Sequence, residues 1–209
     1  MSAELLTHPT RILKARDTIV RIGQVTNPNR PYAIYSGTSL TVLSGIGNAP
    51  ATMTTPHGVT TANFQISDDE QTYRLLGGSG WTDSVIVNSR AQASITTYFL
   101  KDLEFSGTGN NAVFSAGAAG AFDEAQEIIA SARNNKDIEL WVEIYKLLDF
   151  SGGNYFYDVA CFAACIMNYQ ESYPADNLTE LTFDLMSRGE VSIGKLTSAN
   201  QFFTGLPNP

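Results

Sequence analysis

The chain has 209 residues, enough for one domain with a substantial core. Its 13 Lys+Arg against 21 Asp+Glu give a net charge of −8 with no basic run or arm, which excludes a protein that grips nucleic acid or anionic lipid by neutralising phosphates. Only 16% of residues are charged while Gly, Ser, Thr and Asn abound, a composition that suits faces buried against copies of the same chain and equally a turn-rich β protein.

Met1-Ser2-Ala3-Glu4-Leu5-Leu6 lacks a basic stretch followed by an apolar one, so no signal peptide is expected. No run approaches the ~20 apolar residues that cross a membrane as a helix. Ile12, Ile19, Val20, Ile22 and Val25 suggest one or two short strands, ended by Asn27-Pro28-Asn29-Arg30-Pro31. Tyr32 to Leu43 reads as a strand interrupted at Gly37. Residues 44–80 are rich in turn formers, with Val59–Ile66 as a short strand inside them. A loop this long is unusual within one domain, so 44–80 is expected to be a projecting loop or hairpin arm ordered by neighbouring subunits. Asp83–Phe99 then alternates. Val85, Val87, Ala91, Ala93, Ile95, Thr97 and Phe99 take one face, and Ile86, Asn88, Arg90, Gln92, Ser94, Thr96 and Tyr98 the other. Period two with one polar face predicts a half-solvated antiparallel strand.

After a Gly-rich connector, Ala121–Arg133 is predicted as a helix. Phe122, Ala125, Ile128, Ile129 and Ala132 recur at helical spacing, with Asp123 and Glu124 at its start and Arg133 and Lys136 at its end. Strands follow. Ile138, Leu140, Val142 and Ile144 oppose Glu139, Trp141, Glu143 and Tyr145. Ser151-Gly152-Gly153-Asn154 is a turn leading into a long strand, Tyr155–Tyr169, whose Ala160–Cys165 section is unusually small-chained. Tyr173-Pro174-Ala175-Asp176-Asn177 breaks the chain. Leu178–Met186 and Val191–Leu196 read as two strands divided by a turn at Arg188-Gly189-Glu190. The whole is one mostly β domain over 1–209: an antiparallel sandwich or barrel with one flanking helix.

Chemistry is scarce. His8 and His57 stand next to prolines with no acid or nucleophile in pattern, so no triad is indicated. Cys161 and Cys165 lie ~13 Å apart along a strand, too far for a disulfide, and have no zinc-spaced partners. Ser67-Asp68-Asp69-Glu70 lacks the alternating ligands of a calcium loop. Gly107-Thr108-Gly109-Asn110-Asn111-Ala112 matches a loose dinucleotide fingerprint, but the helix it requires is delayed by Gly117 and Gly120. Glu139 and Glu143, ~13 Å apart on one strand face, do not form an acid/base dyad and read as a solvated acidic face. No catalytic residue, cofactor or metal is assigned, and the chain is expected to be a non-enzyme.

The order of the last elements resembles the tail tube proteins of bacteriophages, which are related to the tubes of contractile injection systems. The resemblance rests on the lone helix, the strands 138–147 and 155–169, and the break at Tyr173-Pro174. It continues through Leu181-Thr182-Phe183-Asp184-Leu185 and the Gly-containing turn into a last strand. It covers residues 81–196 and leaves 1–30 unmapped. It implies a virion tail protein made in the host bacterial cytoplasm, hexameric rings stacked into a tube, sheath, terminator and baseplate proteins as partners, and DNA passing without tight binding. Polar faces carrying Asn88, Gln92, Ser94, Thr96, Glu139, Glu143 and Asp184 are candidates for the lumen lining, and equally for an outer solvated face. Other virion parts, namely a tail terminator, baseplate hub or capsid decoration protein, remain alternatives. So does a carbohydrate-binding sandwich using Trp81, Trp141 or Tyr155-Phe156-Tyr157 as an aromatic platform.

Overall fold

Two long runs of alternating side chains set the architecture, because each needs a covered face along its length. The computed structural model describes residues 18–26, 28–56, 59–74, 82–98, 103–106, 113–116, 124–151, 153–174 and 179–198. In chain order these form β1 (Thr18–Gln24), β2 (Tyr32–Tyr35), β3 (Val42–Gly47), β4 (Val59–Arg74), β5 (Thr82–Tyr98), β6 (Leu103–Ser106), β7 (Val113–Ala116), α1 (Glu124–Asn134), β8 (Leu140–Ser151), β9 (Asn154–Ser172) and β10 (Glu180–Ser198). The fold is mostly β, as expected, with a curled mixed sheet forming a half-barrel.

Strands run in the order β1-β8-β9-β10, and β10 then divides its free edge. Its first part, Glu180–Met186, pairs with β5, and β5 pairs with β4. Its last part pairs in parallel with β3 at Lys195↔Val42 and Leu196↔Leu43, and β3 pairs with β2. The strand therefore forks the sheet. The expected turn at Arg188-Gly189-Glu190 is instead a bulge within one 19-residue strand. Register against β9 shifts between Ser187 and Val191, and Gly189 takes φ 96°, a conformation that only glycine adopts without strain. Before the bulge, β10 buries Leu181, Phe183 and Leu185; after it, Ser192 and Gly194 on the opposite face are buried. A Cβ on Gly194 would stand 2.9 Å from Leu43 Cγ, so the glycine admits β3 against this second face.

The first face holds the main core. Val20, Ile22, Ala93, Ile95, Val142, Phe162 and Phe183 are buried there together, with Ile129 and Ala132 of α1 closing it. Curling brings Phe64 of β4 over Phe162 of β9, ring centroids 5.8 Å apart. At the other edge, Ile22 and Thr54 exchange backbone hydrogen bonds of 2.8 and 2.9 Å. The second face is buried as well around Trp141, Cys161 and Ala163, with Ala33, Ile46 and Met53 laid on it. Val159–Ala164 is thus covered on both sides, and the face turned to the β2–β3 ribbon carries only the small side chains of Val159, Cys161 and Ala163.

The β8–β9 hairpin turns where expected, Ser151 opposite Asn154. Helix α1 starts at Glu124; residues 121–123 lie outside the described residues. β4 continues to Arg74, eight residues past the expected end at Ile66. The Gly107–Ala112 run lies outside the described residues, but its flanks β6 and β7 pair antiparallel, where a dinucleotide fold has a helix.

Candidate functional site

Most of the polar candidates converge on one surface. On the second face, before the bulge, β5 carries Gln92, Ser94 and Thr96 opposite Met186, Asp184 and Thr182 of β10. β4 adds Asn63 opposite Ser94 and Gln65 opposite Gln92. Asn168 Nδ2 donates to Asp184 Oδ2 at 2.6 Å, and the hydroxyls of Thr96 and Thr182 are hydrogen-bonded at 3.1 Å. A shallow depression of about 370 Å³ lies over Asn63, Gln65, Gln92, Ser94, Asn168 and Asp184. Asn88 occupies the strand position opposite Asp69. The face carries amides, hydroxyls and one amide-bonded carboxylate beside Met167 and Met186, so it offers hydrogen bonds with little field.

Glu139, just before β8, and Glu143, on β8, do not join it. Glu143, expected on a solvated face, is 2% exposed inside the subunit. Its carboxylate accepts from Trp141 Nε1 at 2.9 Å and Tyr145 OH at 2.8 Å, with Arg21 Nη1 at 3.4 Å. The alternation was real, but the β2–β3 ribbon and β1 cover what a lone hairpin would expose. Strand register extends this into a polar row, Arg21↔Glu143, Glu143↔Cys161 and Ser192↔Cys161. Burial, then the Glu143 and Glu190 charges, push the Cys161 thiol up to about 12. Burial, then Glu143, also raises Tyr145 above the usual phenol range. Both groups are thereby held in their neutral forms at neutral pH. Glu139 is mostly covered and bonds Arg30 Nε at 2.9 Å; its Oε1 is buried without a hydrogen-bond partner among the described residues.

Trp141, Tyr155 and Tyr157 are buried at 2%, 8% and 0% exposure, so they cannot form the aromatic platform considered above. Trp81, His8 and His57 lie outside the described residues. Asp68, on exposed β4, accepts from Ser89 Oγ at 2.6 Å. Among the described residues no three metal-ligating side chains cluster, and no helix is long and apolar enough to cross a membrane.

No protein-family model matches the chain, and no curated protein matches it by sequence. Solved structures do. The subunit of the SPP1 tail tube superposes with a TM-score of 0.54 at 10% identity, covering 88% of this chain and 79% of that one. The fold is that of a phage tail tube subunit. The tail of an empty GTA particle, refined with C6 symmetry, aligns over 87% of this chain and 98% of that one, at 11% identity and TM-score 0.47. The baseplate of the anti-feeding prophage aligns over 84% and 91%, at 8% identity and TM-score 0.43. In the tail tube fold of this chain, β1–β3 belong to the sheet too, so residues 18–24 and 32–47, which the sequence pattern left partly unmapped, are structural parts of it.

Proposed function

We propose that the chain is a structural, non-enzymatic subunit of a phage-type tail tube, assembling as hexameric rings that stack around a channel for DNA. The observation that carries this reading is the overlap with the SPP1 tail tube subunit across 88% of the chain. Two further features support it. β4, 16 residues long, is paired along one edge by β5, and among the described residues its other edge has no strand partner, which suits it to another copy. The face of Gln92, Ser94, Thr96 and Asp184 has the hydrogen-bonding, weakly charged surface past which a polyanion slides without being held. That face, extended to Asn88, is the proposed lumen lining. Sheath, terminator and baseplate proteins are the proposed neighbours, and the virion tail the proposed location.

Purified full chain examined by light scattering across a concentration series and by negative-stain microscopy tests this. Rings or tubes with a central channel are expected. A protein that remains a single subunit at every concentration overturns it, and closed trimers favour a different virion part.

A further inference from the structure

From Pro31 to Ser67 the chain carries no Asp, Glu, Lys or Arg, although these make up 16% of the whole. Within that run the outer side of the β2–β3 ribbon is apolar. Ala33, Tyr35, Leu43 and Ile46 turn inward onto the sheet, so Tyr32, Ile34 and Val42 face away from it. They are 54%, 40% and 39% exposed, and Leu40, in the turn between the two strands, is 79% exposed. Gly45 stands opposite Ile34, and Gly47 opposite Tyr32. The ring of Tyr32 lies over Gly47, where a Cβ would collide with it, so the surface is low as well as uncharged. Lys195, opposite Val42, and Arg30, ion-paired with Glu139, mark its margins. An apolar centre with charge only at the rim is the anatomy of a protein interface.

An uncharged apolar surface selects an uncharged apolar occupant, because a charge pressed against it loses water and gains no partner. In a second copy, itself of net charge −8, the exposed apolar side chains differ in this respect. Phe156 stands opposite Asp149, and Ile193 lies two residues from Lys195, which stands opposite Asp158 as Lys146 does. That block holds two cations and two anions. The start of β4 holds none: Val59–Ile66 and the facing Ala91–Thr97 of β5 carry no charge on either side. Ala62, Phe64 and Ile66 stand opposite Ile95, Ala93 and Ala91 on the core side of the β4–β5 ribbon. Ala62 and Ile66 are nonetheless exposed and Phe64 is half-buried, so among the described residues the main core reaches the surface here. Asn63 and Gln65 point to the opposite side of β4, which leaves the proposed lumen lining free.

We propose that the outer side of the β2–β3 ribbon packs on the Ala62–Ile66 strip of β4 in a second copy of this chain. β2 and β4 are the outermost strands of the two branches that leave β10, so one subunit presents the two surfaces at different margins. The contact is heterologous: each subunit gives one and receives one, and repetition extends an assembly. The inference rests on the tube reading above and specifies a contact within it.

A charge placed on either surface tests it in the full chain. Ile34→Lys and Ile66→Glu are each expected to raise the concentration needed for assembly about tenfold, read by light scattering, and the two in one chain to recover most of the loss. Both positions are exposed in the subunit, and circular dichroism with thermal melting checks that each variant folds. Cysteine placement locates the contact: separate Ile34→Cys and Ala62→Cys chains, mixed and oxidised during assembly, should give cross-linked dimers that neither pool gives alone. Assembly unchanged by Ile34→Lys overturns the proposal. So does a cross-link between two Ile34→Cys chains, which pairs the ribbon with its own counterpart, or one within a single doubly substituted chain, which seats the ribbon on its own β4. A wild-type chain that never assembles sinks the tube reading itself, so the two failures are distinguishable.

Discussion

Val159–Ala164 of β9 and Ser67–Arg74 of β4 are both strand, and their surroundings are opposite. The first is paired on both edges and buried on both faces. The second is paired on one edge by β5, and every residue from Ser67 to Gln71 is exposed. Backbone pairing is common to the two, so it does not distinguish a subunit's centre from its periphery. What differs is how much of each strand the chain covers by itself. A strand exposed as Ser67–Gln71 is, with no second strand neighbour among the described residues, contributes little to the isolated subunit, and its cost in exposed edge is tolerable when assembly covers it.

The contrast is broken or sharpened by substitution. The largest effect belongs to Phe162→Ala, which opens a cavity under Phe64 in the main core. A loss of ~3–5 kcal/mol is expected, read by urea unfolding; a loss below ~1 kcal/mol would mean the centre is not close-packed. Glu143→Ala removes the acceptor shared by Trp141, Tyr145 and Arg21. A cost of ~2–4 kcal/mol is expected, with Glu143→Gln milder because it keeps an acceptor oxygen. Gly189→Ala forces a side chain into φ 96° at ~1–2 kcal/mol, and its Cβ would stand 3.2 Å from Arg30 Nη1. An unchanged melting curve would show the bulge is not held in that conformation.

Cys161 gives a chemical form of the same comparison. With its thiol pushed up to about 12, it should resist alkylation in the folded protein at about pH 8 and react on unfolding. The unfolded thiol titrates near 9, so the unfolded chain releases its proton first, and stability falls as pH rises from there towards 12. Labelling of Cys161 as fast as a free thiol would contradict its burial. The smallest effect is at the periphery: Ile66→Ser should change the stability of the unassembled subunit by no more than ~1 kcal/mol, since Ile66 is 39% exposed.

Alternation, helical spacing and turn chemistry were legible from residues alone. The single helix, the hairpin at Gly153 and the strand at 82–98 follow from local rules, because each depends on neighbours a few positions away. The polar row Gln92, Ser94 and Thr96 was readable for the same reason. Ser67–Arg74 was not recognised as strand, since Ser67–Gln71 is exposed on both faces and has no apolar period to detect. Glu143 was misjudged because its alternating pattern is identical whether the polar side meets water or a second layer.

What the chain alone determined is the helix, the long alternating strands and the apolar side of each, through side-chain period and backbone preference. Which faces stay bare was decided by tertiary structure: β10 bulges at Gly189, switches its buried side, and trades β5 for β3 as its neighbour. That fork joins residues far apart in the chain, Glu180 with Tyr98 on one branch and Lys195 with Val42 on the other. No local signal encodes it, because burial depends on what else arrives at the surface.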